Sequence, residues 1–212
     1  MKDGFKVIDA DRHILEPSDL YQNYLPEKFK SRVRLAGPNQ TVREVDGKPV
    51  SDSALRPGRQ MEDYGYIFSS SKRWRECFAD AYANKFDPAS NLRDMDREGI
   101  DVSVVFPTIG LYIMWRVDID PELSAAICRA YNTWLADYCD HDRKRLHGVM
   151  LIPLQDPARA VEELKYAREK LGLVGIFWRA NKFCGRTFTS PDYYPIYDVA
   201  SELGVTVCVH EG

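Results

Sequence analysis

Five short apolar runs punctuate the chain, and stretches of helical period fill most of the spaces between them. The runs are Phe5–Asp9, Val102–Phe106, about Leu146–Ile152, Val174–Trp178 and Val205–Val209. They are rich in β-branched and aromatic residues and predict five strands. Each runs into polar residues: Asp-Ala-Asp-Arg-His after the first, then Pro107-Thr108, Pro153-Leu154-Gln155, Arg179-Ala180-Asn181 and His210-Glu211-Gly212. Pro121–Asp140 carries apolar residues at Leu123, Ile127, Ala130, Tyr131, Trp134 and Leu135, the period of a helix with one buried face. A second helix is predicted over Pro157–Leu171, with Asp156 as its N-cap and Gly172 as its stop. Ser190-Pro191 opens a third in the same way, and Gly204 closes it. A shorter helix, Asn91–Gly99, leads into the second strand.

Strand-helix alternation of this kind implies a parallel sheet. An open doubly wound sheet and a (β/α)8 barrel compete. No G-x-G-x-x-G follows the first strand. A strand ending in Asp-x-His favours the barrel, where chemistry sits at the C-terminal ends of strands. Five units cannot close eight strands, and the sequence stops one strand-end after a histidine. The expectation is therefore one α/β domain over residues 1–212: a (β/α)8 TIM barrel, incomplete here (strands 1–5 of 8) and truncated at the C-terminus. Val205, Val207 and Val209 would then lack the partners that a closed barrel supplies. Residues from about 37 to 88 break the alternation with Gly, Pro, Ser and Arg among Tyr64, Tyr66, Phe68 and Trp74. Fifty residues exceed an ordinary barrel loop, so this stretch is expected to be an insertion or cap that helps form the pocket or a subunit interface.

Composition narrows the class. The chain has 212 residues, 44% hydrophobic, with a net charge of −3, enough for one sizeable core. No block of basic residues suggests nucleic acid or a membrane surface. No apolar run reaches the roughly 20 residues of a membrane span, and the opening residues lack the apolar stretch expected of a secretory signal. The five cysteines form no C-x-x-C pair. Reduced thiols in a cytoplasmic protein are expected.

Strand alternation puts Asp9, Asp11 and His13 on one face of the first strand if it continues that far, and Thr206, Cys208 and His210 on one face of the fifth, and in a barrel both sets can point inward near the top. A carboxylate and a neutral imidazole two residues apart, with a second imidazole from a distant strand, suit zinc, manganese or iron(II). Alone, Asp-x-His also reads as a capped turn, and a histidine ending a buried strand as a hydrogen-bonded core residue. Arg179 and Asn181 end the fourth strand, where the guanidinium fork can take a substrate carboxylate or form a salt bridge. Thr108 and Gln155 either line a pocket or shape turns. Glu16 either orients a ligand from behind or marks a helix entry. His147, at the far end of its strand, His141 and the Tyr131, Trp134, Tyr138 stripe read as structural. Tyr112, Trp115 and Arg116 fit packing or substrate contact.

The segment Val7-Ile8-Asp9-Ala10-Asp11-Arg12-His13-Ile14-Leu15-Glu16-Pro17 resembles the opening of the amidohydrolase-related family that includes aminocarboxymuconate semialdehyde decarboxylase and the resorcylate decarboxylases. Residues 94–101, 152–157, 171–176 and 204–210 are similar to the same family, so the resemblance covers most of the chain outside 37–88. It implies metal ligation by Asp11, His13 and His210. Asp11 stands where the family commonly has His or Glu, a departure shared by a subgroup beginning D-A-D. It also implies a further Asp ligand from an eighth strand and a catalytic histidine from a sixth, both beyond residue 212. The implied enzyme uses one divalent metal ion, zinc first, with manganese or iron as alternatives. It either decarboxylates an aromatic or unsaturated carboxylic acid or hydrolyses an amide, ester or lactone. A small molecule of one of these kinds is the expected partner, with self-association when full length. The competing reading is an inactive half-barrel remnant or a binding or scaffold module.

Overall fold

Parallel strands make up the main sheet. The computed structural model describes residues 4–36, 42–50 and 76–210. In chain order the strands are β1 (Ile8–His13), β2 (Val33–Ala36), β3 (Val42–Val45), β4 (Lys48–Pro49), β5 (Val102–Phe106), β6 (Leu146–Met150), β7 (Gly175–Trp178) and β8 (Thr206–Val209). The main sheet has the order β1-β5-β6-β7-β8, and every neighbouring pair in it is parallel. The helices Pro88–Glu98, Pro121–Cys139, Pro157–Glu169 and Tyr194–Glu202 link successive strands of this sheet. This is the strand-helix order of an incomplete (β/α)8 barrel, curled as a half-barrel.

Helix starts follow one chemical device. Asp87, Asp120 and Asp156 each precede a proline, and each carboxylate accepts from backbone N–H groups of the first turn. The helix expected from Asn91 therefore begins earlier, at Pro88, behind an Asp-Pro start that went unread. Ser190-Pro191 departs from the pattern. A 3-10 turn, Pro191–Tyr193, precedes the α-helix, and the Ser190 hydroxyl accepts from Thr187 N–H instead of capping. The long helix Pro121–Cys139 buries Leu123, Ile127, Tyr131 and Leu135 completely, with Trp134 and Tyr138 close behind. The aromatic stripe is core, as its spacing predicts.

The first strand differs from expectation in two ways. It spans Ile8–His13, so the Asp-x-His motif lies inside it. It also carries a bulge. Asp9 pairs with Ser103 and Arg12 with Val105, so Ala10 and Asp11 together oppose Val104 alone. The extra residue flips the alternation. Asp9 falls with Arg12 on the helix side, while Asp11 and His13 face the concave side. The expected common face for Asp9, Asp11 and His13 is thus corrected.

A second sheet was not foreseen. Strands β2, β3 and β4 form an antiparallel meander. Val33 and Val45 pack into the core that holds Leu20, Tyr21, Leu25 and Phe29. Arg116 ties this sheet to the loop after β5. Its guanidinium donates to the carbonyls of Lys48 and Pro49 and pairs with Asp118, which also holds Lys48 at 2.7 Å. Of the stretch expected to be an insertion, residues 37–41 and 51–75 lie outside the described residues. Of the meander, Val33–Ala36 precedes that stretch and Val42–Val45 and Lys48–Pro49 fall within it.

At the sheet's edges, Ile8 is 59% and Val209 54% exposed. Val205, expected to lack partners, is buried, and Val207 is half-buried. Among the described residues no helix is long and apolar enough to cross a membrane.

Candidate metal centre

The first and last strands of a flat five-stranded sheet would lie about 19 Å apart, four spacings of roughly 4.8 Å. Yet side chains from β1 and from the residue after β8 touch. His210 Nε2 is 3.0 Å from Asp11 Oδ1 and 3.1 Å from His13 Nε2, and His13 Nε2 is 3.6 Å from Asp11 Oδ1. The curl of the sheet, with Asp11 and His13 turned inward, makes this meeting possible. One donor atom from each residue lies within 4.8 Å of the others.

The protonation pattern of this triangle is constrained. His13 Nδ1 lies 2.7 Å from the Pro107 carbonyl oxygen. A carbonyl only accepts, so the Nδ1 proton points there, and the lone pair of a neutral His13 sits on Nε2, toward the triangle. His210 Nε2 faces that lone pair and a carboxylate oxygen together, and one proton cannot serve both well. Among the described residues, the buried His210 Nδ1 has no hydrogen-bond partner. Two imidazole nitrogens and a carboxylate oxygen 3.0–3.6 Å apart match ligand atoms spaced about 3.0–3.6 Å around an ion with bonds of about 2.0–2.2 Å. The donor set fits a divalent cation.

The carbonyl that orients His13 is itself held. Glu16, buried, accepts three backbone N–H bonds: Thr108 N at 3.1 Å and Gly110 N at 2.8 Å on Oε1, and Ile109 N at 2.9 Å on Oε2. The carboxylate caps the short helix Gly110–Ile113 and fixes the loop that begins at Pro107. Gly110 fits closely there: a Cβ would lie 2.8 Å from Leu151 Cδ1 and 3.2 Å from Pro107 Cβ, so the Leu151 side chain would have to shift. Glu16 contacts the loop, and among the described residues it has no hydrogen bond to Asp11, His13 or His210. Glu16 thus serves a helix start distant in sequence, not an entry of its own segment, and any influence on a ligand passes through Pro107.

Two phenyl rings wall the imidazoles. Phe106 lies 5.3 Å from the His210 ring and 6.0 Å from the His13 ring, centroid to centroid, and Phe177 lies 6.2 Å from His210. Both were missed in the sequence as site residues. The available signal was parity: Phe106 pairs with His13, and Phe177 pairs with Cys208, two residues before His210. Arg179 is buried, donates to the Leu111 carbonyl at 3.4 Å, and stacks 3.5 Å from the Trp115 ring. Asn181 is half-buried in the bend that follows β7. Thr108 enters the site region through its backbone. Gln155 is committed elsewhere, accepting from Ser124 Oγ and donating to the Arg116 carbonyl. His147 lies in β6 opposite Val104, away from the triangle.

A family model described as Amidohydrolase matches residues 8–212. The chain belongs to the amidohydrolase family. Within it, the chain is 24% identical over 133 residues to 2-amino-3-carboxymuconate-6-semialdehyde decarboxylase of Dictyostelium discoideum, covering 63% of this chain and 36% of that one. An amidohydrolase from Mycobacterium avium subsp. paratuberculosis superposes with a TM-score of 0.72 at 20% identity, over 99% of this chain and 59% of its own. A 5-carboxyvanillate decarboxylase from Novosphingobium aromaticivorans, crystallised with manganese and 4-hydroxy-3-methoxy-5-nitrobenzoic acid, gives 0.63 at 19% identity, over 99% and 51%. This amidohydrolase-family chain thus spans about a third of the curated relative and half or slightly more of these solved neighbours.

Proposed function

We propose that Asp11, His13 and His210 hold one divalent metal ion, zinc or manganese before iron, and that the full-length enzyme decarboxylates an aromatic or unsaturated carboxylic acid. The convergence of the three donor atoms to within 3.0–3.6 Å carries this reading. An ion bound there supplies Lewis acidity toward a substrate carboxylate or phenolate oxygen. The chain's own residues do the rest. His13 presents Nε2 because its Nδ1–H donates to the Pro107 carbonyl. Asp11 contributes the negative charge that offsets the cation. Phe106 and Phe177, both buried, pack against the imidazoles and hold them in place. Arg179, braced by Trp115 and the Leu111 carbonyl, presents a guanidinium for a carboxylate, with Asn181 beside it in the same loop. The named relatives that are decarboxylases support this choice over hydrolysis of an amide, ester or lactone, the second reading, which uses the same three ligands.

The test is to purify full-length protein, load it with zinc or manganese, and assay aromatic carboxylic acids beside amides and lactones. Metal near one equivalent and release of carbon dioxide are expected, with both lost in His13→Ala and His210→Ala while the far-ultraviolet circular dichroism stays unchanged. Turnover of lactones or amides alone would select hydrolysis. Full metal occupancy in either variant would remove the ligand assignment. A protein that binds metal stoichiometrically but turns nothing over would favour a binding module.

A further inference from the structure

β1 spends two residues, Ala10 and Asp11, where β5 spends one. Bulges are uncommon between parallel strands, and they leave backbone groups without ladder partners. Here a side chain supplies the missing acceptor. Asp9 Oδ1 accepts from the Asp11 N–H at 3.1 Å, the short i to i+2 bond that aspartate geometry favours. The other oxygen, Oδ2, lies 3.6 Å from the Arg12 guanidinium. Arg12 is anchored in turn to the helix Pro88–Glu98, with Nε 2.6 Å from Asn91 Oδ1 and Nη1 3.4 Å from Glu98 Oε2. Asn91 is fixed by the Tyr138 hydroxyl at 3.0 Å.

We propose that Asp9 is a positioning residue: its carboxylate maintains the β1 bulge from the helix side and thereby aims the Asp11 carboxylate at His210. The inference rests on the metal-site reading above and deepens it. An aspartate has only two side-chain torsions, so where its oxygen lands depends closely on its backbone. The Asp9 bond fixes that backbone at the residue whose oxygen must land 3.0 Å from His210 Nε2. The bulge has a second effect. In a regular strand Asp9 would share the concave face with Asp11 and His13. The bulge turns it outward toward Arg12 and leaves one carboxylate, not two, at the centre.

Three variants of the full-length protein separate these roles. Asp9→Asn keeps the acceptor for the Asp11 amide. Asp9→Glu keeps the charge facing Arg12, but its longer chain cannot close the same short turn. Asp9→Ala keeps neither. Zinc affinity by chelator competition should fall about 10–100-fold in Asp9→Ala and Asp9→Glu, the range typical of groups that orient a ligand, and stay within about threefold of wild type in Asp9→Asn. Hydrogen exchange at the Asp11 amide should accelerate in the first two and not in the third. Wild-type affinity with a protected Asp11 amide in Asp9→Ala overturns the proposal. If Asp9→Ala does not fold, equal zinc affinity in Asp9→Glu and Asp9→Asn overturns it. If wild-type protein binds no zinc, the metal reading fails separately, and Asp11 amide exchange decides the positioning role alone.

Discussion

Glu16 shows how one side chain governs a loop. Its carboxylate satisfies three amides that a four-residue helix cannot satisfy internally. Truncation to alanine strands those donors in a buried place, and a loss of about 2–4 kcal/mol is expected in urea unfolding. The nitrogen-15 shifts of His13 should also move, because the Pro107 carbonyl loses its brace. A loss below about 0.5 kcal/mol would mean that other contacts hold the loop. Residue types and their places near strand ends singled out Asp11, His13 and His210 as candidates, the family resemblance joined them into one set, and the fold brings them together. The role of Glu16 was only half legible, because a glutamate three residues past a histidine does not say which backbone it reaches. Asp9 was misread because period-two reasoning has no term for a bulge, and nothing in Asp-Ala-Asp marks which residue is the extra one.

Among the elements, the strands and the long helices were readable because apolar period and Asp-Pro starts are local signals. The meander β2–β4 was not. Its strands are two to four residues long, and charged residues interrupt their apolar positions. A different polar device secures the end of β6. The Asn132 side chain accepts from the Leu151 N–H and donates to the Leu151 carbonyl, both at 2.8 Å, and also donates to Glu163, which takes Arg129 on its other oxygen. Asn132 thus acts as a ladder partner where the strand leaves the sheet. Asn132→Ala should cost about 2–4 kcal/mol, since buried backbone groups lose both partners. Thermal unfolding should show this, and an unchanged midpoint would contradict it. Burial pushes the Glu163 carboxyl above its ordinary value of 4.5, with Asn132 and Arg129 pulling the other way. A raised carboxyl favours the folded state below pH 4.5, and that contribution is lost as pH rises through the folded-state value. Wild type should therefore lose stability relative to Glu163→Gln between pH 4 and pH 7 in matched urea titrations. An advantage for wild type that grows with pH would reverse the sign of this argument.

For the molecule as a whole, the main sheet has two outer strands, and among the described residues neither has a second strand neighbour. Ile8 and Val209 stand exposed on them. Unpaired edges with apolar side chains promote association. The 212-residue chain expressed by itself should show a mass that rises with concentration in light scattering, and Val209→Lys should lower that mass. A monodisperse monomer at all concentrations would show that the edges are protected.

The triangle of Asp11, His13 and His210 joins residues 197 and 199 positions apart in sequence. Such a contact has close to the highest contact order available to this chain, and it forms only after the intervening strands have paired. Early folding species with β1 and β5 together but β8 absent would therefore have no site. An ion captured at the end of assembly would act as a clasp on the native state alone, raising stability by mass action as its concentration exceeds the dissociation constant. In stopped-flow refolding, zinc would then leave the early phases untouched and slow only the unfolding limb.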